Sequence, residues 1–233
     1  MSRSTPTGGT HLPVGELTGR QRYHLLSSLV VPRPIGWIST CGLDGHLNLA
    51  PFSYFGALCA TPMLVGVSIG HRSDGPKDSL KNIQETGIFC VNVVTRRDME
   101  AMNLTAGEFA RGDDEFQLAG LTPQAGQWVN APYVNSAAAA LECTVSQEVL
   151  LEGGSSTLVI GRVEGIHLAP RLEWDSERYL VDPHSLDPVG RLGGADYSLQ
   201  GDVVALARPV VSAADPRCSI PKPGTPHDSP SGP

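Results

Sequence analysis

From Ser68 to Asn82 the chain crowds Ser68, His71, Arg72, Ser73, Lys77, Asp78, Ser79 and Asn82 into one short stretch. Lys77-Asp78-Ser79 opens a helical pattern over 77–86, with Leu80 and Ile83 three apart and Gly87 to end it. A helix start presents free backbone N–H groups and a partial positive charge. With Arg72, Lys77 and hydroxyls beside it, such a start can hold a phosphate. A plainer role is open to the same residues, with Asp78 or Ser79 capping the helix and Lys77 pointing into water.

A second polar segment is Val189-Gly-Arg-Leu-Gly-Gly-Ala-Asp-Tyr197, where three glycines accompany Arg191, Asp196 and Tyr197. Arg191 can pair bidentately with a phosphate or a carboxylate, or it can pin its own loop through Asp187 or Asp196. The chain contains no GxxxxGK[ST] and no HExxH. Its seven histidines lack ligand spacing, so no metal site is expected.

The elements that must position these groups read mainly as strands. Ile35–Thr40 and Leu47–Pro51 flank a Gly42/Asp44/Gly45 turn and form a hairpin. Met63–Ile69 and Ile88–Val94 are β-branched apolar runs. Ala140–Leu150 and Ser156–His167 make a longer hairpin around Gly153-Gly154. Only one further short helix is expected, over 98–105, with Met99 and Met102 on one side. Two short helices among hairpins point to a β-barrel, because a parallel sheet needs a helical crossover between strands.

The chain has 233 residues, enough for one domain, and a net charge of -7, which speaks against nucleic-acid or anionic-membrane partners. No apolar run has the length of a membrane span, and the opening MSRSTPTGGT has no apolar core of a secretory signal. The five scattered cysteines, without a CxxC, suggest free thiols in a reducing cytoplasm. Residues 1–17 read as a disordered tail, 18–208 as the folded domain, and 209–233 as a tail with seven prolines.

Several blocks resemble one family. They run from Val31-Pro-Arg-Pro-Ile-Gly-Trp-Ile-Ser-Thr40 through Asn48-Leu-Ala-Pro-Phe-Ser-Tyr-Phe55 and Lys77-Asp-Ser-x-x-Asn82-Ile to Glu85-Thr-Gly-x-Phe-x-Val-Asn92. They continue at Glu115-Phe116, Leu141-Glu142-Cys143 and Gly190-Arg-Leu-Gly-Gly-x-x-Tyr197. Over about residues 20–208 the chain is similar to the flavin reductase-like proteins, the FMN-binding split barrels. The resemblance implies a mainly β split barrel with short helices, assembled as a homodimer with flavin near the subunit interface.

By the same resemblance, Ser39 and Thr40 lie near the ribityl-phosphate, and Asn48, Leu49, Ala50, Pro51, Phe52 and Ser53 line the isoalloxazine. Ser68, Arg72, Lys77, Asp78 and Ser79 bind the phosphate, with Asn82 supporting their helix. Tyr54, Phe55, His184, Arg191, Asp196 and Tyr197 form the outer pocket. The implied reaction is hydride transfer from NADH or NADPH to FMN, often supplying a partner monooxygenase. No catalytic triad is expected, because the cofactor carries the hard step. The alternatives are an FMN enzyme acting on its own specialised-pathway substrate and a flavin electron carrier without one.

Overall fold

A computed structural model describes residues 8–207. The proline-rich 209–233 tail and residues 1–7 of the expected N-terminal tail lie outside the described residues. The chain divides into two units, one ending at Gly201 and one beginning at Asp202, and among the described residues all strands and helices belong to the first. No described helix is long and apolar enough to cross a membrane.

Seven strands form the main sheet: β1 (Gly36–Cys41), β2 (Leu47–Phe52), β3 (Phe55–Ala60), β4 (Met63–Gly70), β5 (Ile88–Val93), β6 (Ala139–Leu150) and β7 (Ser156–Leu168). Their order is β2-β1-β5-β6-β7-β4-β3, with every pairing antiparallel. The architecture is the mainly β split barrel.

Alternation sorts the strands' side chains. Ile38, Phe52, Val65, Val67, Ile69, Phe89, Val91, Cys143 and Val159 fill the barrel, and Leu80 and Ile83 of α2 (Asp78–Thr86) plug one end. Trp37 and Leu49 point to the other face, where Met102 and Phe116 cover them. Trp37 Nε1 donates to Thr105 Oγ1 at 2.9 Å, satisfying its one polar atom.

The hairpins form as the turn residues foretell, and α2 ends at Gly87, whose φ of +72° suits a residue without Cβ. The helix count is higher than the sequence pattern suggested. Besides α2 and α3 (Met99–Leu104) there are α1 (Gly19–Leu29), α4 (Glu115–Leu118) and α5 (Pro183–Leu186). A capping box starts α1: Gln21 N donates to Thr18 Oγ1 and Thr18 N to Gln21 Oε1. Its apolar residues do not form a buried stripe, since Tyr23, Leu26 and Leu29 stay exposed and only Ser27 is buried. The edge strand β3 also carries no alternating signal, with 57–60 exposed.

Candidate flavin site

The site is built where β4 hands over to α2. The helix is anchored from beneath by a buried polar chain. Ser79 Oγ donates to Asn48 Oδ1 at 3.0 Å, and Asn82 Nδ2 donates to Thr40 Oγ1 at 3.0 Å. Asn48 Nδ2 and Leu49 N each donate to Glu115 at 3.1 Å. Burial pushes the Glu115 carboxyl above its ordinary range, against the pull of the Leu49 N–H. These bonds tie β1, β2, α2 and α4 together and so fix where the start of α2 points.

That start opens on a groove of about 600 Å³ lined by His71, Arg72, Ser73, Asp74, Lys77, Glu108 and Phe109. Lys77 is the N-cap residue, and no side chain caps the helix. Neither Asp78 nor Ser79 takes the capping role the sequence left open. Among the described residues Lys77 has no carboxylate partner, and its Nζ sits 5.7 Å from the centroid of the Phe52 ring. Arg72 pairs with Asp78 at 3.4 Å, and Arg111 reaches both Asp78 at 3.3 Å and Asp44 at 3.6 Å. Uncapped backbone N–H groups, an unpaired ammonium and a guanidinium on an exchangeable partner make a donor set that fits a phosphate.

The residues expected to touch flavin divide by depth. Arg72 and Lys77 line the groove, and Asp78 stands beside it in its ion pairs. Thr40, Asn48, Ser79 and Asn82 are buried scaffolding beneath it. Ser39 is fully buried, donating to Pro132 O at 2.6 Å and accepting from Asn92 Nδ2 at 2.9 Å, so it offers no surface to a ribityl chain. Leu49 and Phe52 belong to the cores, and Ala50 packs against one of them. Pro51 and Ser53 line a second cavity. Ser68 is half-buried on β4, and its N–H donates to Tyr54 O at 2.8 Å. Gly66-Val67-Ser68-Ile69-Gly70 has the spacing of a serine nucleophile elbow, but all five residues lie inside β4 rather than at a strand-to-helix turn.

The outer-pocket set also separates. Arg191 and Tyr197 meet Pro51 and Ser53 across a cavity of about 180 Å³ that Tyr23 and Met102 complete. Tyr54 is exposed, with the Arg33 guanidinium 5.9 Å from its ring centroid. Phe55 packs against the barrel core, so close to Gly36 that a Cβ there would sit 2.8 Å from the ring. His184 and Asp196 are exposed and line neither cavity. Arg191 makes neither anticipated ion pair, because Asp187 is taken by Arg96 at 3.2 Å and Asp196 forms none. Glu108, Phe109, Arg111 and Tyr23 escaped sequence reasoning, since they reach their sites from distant loops and helices without a local pattern, and Arg33 stood in a motif block with no sign of its burial.

The family model for the flavin reductase like domain matches residues 27–180. A protein of Deinococcus radiodurans described as uncharacterised is 41% identical over 205 residues, covering 85% of this chain and 89% of that one. Among solved structures, nitrilotriacetate monooxygenase component B from Bacillus cereus superposes with a TM-score of 0.82 at 30% identity, covering 86% of this chain and all of that one. The 2-nitrobenzoate 2-nitroreductase of Pseudomonas fluorescens gives 0.79 at 30% identity, covering 88% of this chain and 100% of that one.

Proposed function

The chain belongs to the flavin reductase-like family and is an FMN-binding, flavin-dependent oxidoreductase, and from that premise we propose that it takes its electrons from NADH or NADPH. Bound FMN supplies the two-electron acceptor for a nicotinamide hydride. In this reading Lys77, Arg72 and the first N–H groups of α2 bind the phosphate. Pro51 and Ser53 border the ring, and Thr40, Asn48, Ser79 and Asn82 hold the helix in place. The observation that carries it is Lys77, a cation without a carboxylate partner at an uncapped helix start.

The reduced flavin serves a partner monooxygenase, a role supported by the similarity to a monooxygenase component B. A homodimer in the cytoplasm is part of the same reading. The dimer is supported by Tyr23, Leu26 and Leu29 exposed on α1 and Leu58 and Met63 exposed along the β3–β4 edge. The location is supported by free thiols at Cys41, Cys59, Cys90 and Cys143.

A second reading, an FMN enzyme reducing its own substrate, is favoured by the likeness to a nitroreductase and by the unneutralised Arg191. One experiment separates the two. The purified chain is assayed for NADH and NADPH oxidation with and without added FMN, and released cofactor is identified by chromatography. Rapid oxidation that scales with free FMN supports the reductase. Bound FMN that neither nicotinamide reduces refutes it.

A further inference from the structure

The cavity beside Ser53 carries positive charge that the fold leaves unneutralised. Arg33 is only 6% exposed, yet every group its guanidinium meets is neutral. It donates to the carbonyls of Ser27, Val30 and Leu192 and to Ser53 Oγ at 3.4 Å. Directly across a short antiparallel pair stands Arg191. Like charges in opposed positions destabilise a strand pair, and a buried cation without a counter-ion carries a desolvation penalty. Among the described residues neither arginine forms a salt bridge, whereas Arg72, Arg96 and Arg111 all do. The imbalance is local, since the chain as a whole is acidic, with a net charge of -7.

Arg191 is held ready on one side only. Its guanidinium lies 4.5 Å from the Tyr197 ring centroid, and Nη2 donates to Gly194 O at 2.5 Å. Tyr197 is itself fixed, its hydroxyl donating to Asn103 Oδ1 at 2.9 Å. The remaining guanidinium donors have no protein acceptor among the described residues. Apart from the Ser53 hydroxyl, the rest of the wall is apolar or aromatic: Tyr23, Ile35, Pro51, Met102 and Ala106. At about 180 Å³ the space is well below the roughly 300–1,000 Å³ of pockets that enclose drug-sized ligands.

We propose that this cavity is an anion subsite for a small organic carboxylate with a flat apolar body, the carboxylate paired with Arg191 and the body lying toward Tyr23 and Met102. A guanidinium offers the parallel N–H pair that a carboxylate accepts, and Arg33, outside the cavity lining, places a second positive charge behind Ser53. Its role as a substrate subsite rests on the flavin reading, because Pro51 and Ser53 belong to the segment assigned to the ring. Anion binding itself does not.

The full chain is titrated with benzoate, and with benzamide as the uncharged isostere, by calorimetry with and without FMN. Benzoate is expected to bind at least about 10-fold more tightly than benzamide, and Arg191→Gln to weaken benzoate by about 10-fold or more. FMN affinity and Tm stay unchanged in that variant. Arg191→Lys keeps the charge but loses the fork, and recovers part of the affinity. Tyr23→Ala, in the uncharged part of the lining, weakens both probes while keeping their ratio.

Equal binding of benzoate and benzamide would overturn the proposal, as would benzoate binding that survives Arg191→Gln. Failure of benzoate to bind, with ADP-ribose binding through Arg191 instead, would also refute it and assign the cation to a dinucleotide. Benzoate binding through Arg191 in a preparation that ignores FMN would support the subsite and refute the cofactor reading.

Discussion

Replacing Glu142 by glutamine removes the most heavily bonded carboxylate of the barrel wall. Glu142 is fully buried. One oxygen accepts from Trp128 N and Val129 N, both at 2.7 Å, and the other accepts from Gln127 N at 2.8 Å and meets His167 Nε2 at 2.5 Å. An amide can present its oxygen to only one of these pairs. The less harmful orientation faces the NH₂ toward Gln127 N and His167, whose ring can switch tautomer to accept. The Gln127 bond is then lost, worth about 1.5–3 kcal/mol for a charged acceptor. The two surviving bonds fall from charged to neutral strength, about 1 kcal/mol each. The total is roughly 3–5 kcal/mol, a large share of the ~5–15 kcal/mol that holds a domain folded.

Urea denaturation measures the change as a lower midpoint at constant slope. The pH arm runs the same way. Burial raises the Glu142 pKa, but its hydrogen bonds outweigh that and hold the carboxyl below its ordinary range. A lowered folded-state pKa confers stability that is complete above the unfolded value of about 4.3 and drains as pH falls below it. The wild type should therefore lose stability on acidification more steeply than Glu142→Gln. A variant within 1 kcal/mol of the wild type, or two parallel acid limbs, would refute the reasoning.

Lys77→Ala should weaken FMN binding by about 10- to 150-fold, measured by titrating apoprotein, while Tm holds; an unchanged Kd would return Lys77 to the solvent. Asn82→Ala should behave differently, lowering stability by about 1–3 kcal/mol and flavin affinity with it, because it unpins α2 from Thr40. A loss of affinity at full stability would place Asn82 on the ligand instead. Light scattering of the flavin-loaded chain should give twice the 24.6 kDa of one chain, and a mass near a single chain defeats the dimer.

Every main-sheet strand except the edge strand β3, together with the tight hairpins and the helix after Lys77, was legible in the sequence because each is set by neighbours two to four residues away. The β-branched run Met63–Ile69 marked a strand, whose Val65, Val67 and Ile69 the structure turns inward, and Gly87 marked the end of α2. Motif blocks carried the family and the split barrel, since those residues recur in order along most of the chain. What the sequence left open was which polar residues of a single segment face a ligand. Ser39 and Ser53 are both serines of the β1–β2 region, but only the first is sealed in the interior, by the carbonyl of Pro132. Lys77 and Ser79 are two positions apart, yet one lines the groove and the other is turned under it toward Asn48.

The charge pairing was hidden for the same reason. Whether Arg191 finds an acid depends on Arg96 reaching Asp187 first, and Arg33 meets Leu192 across 159 positions of chain. Local composition decides what a segment can become. Long-range packing decides which of its polar atoms are already satisfied, and so which remain free to bind.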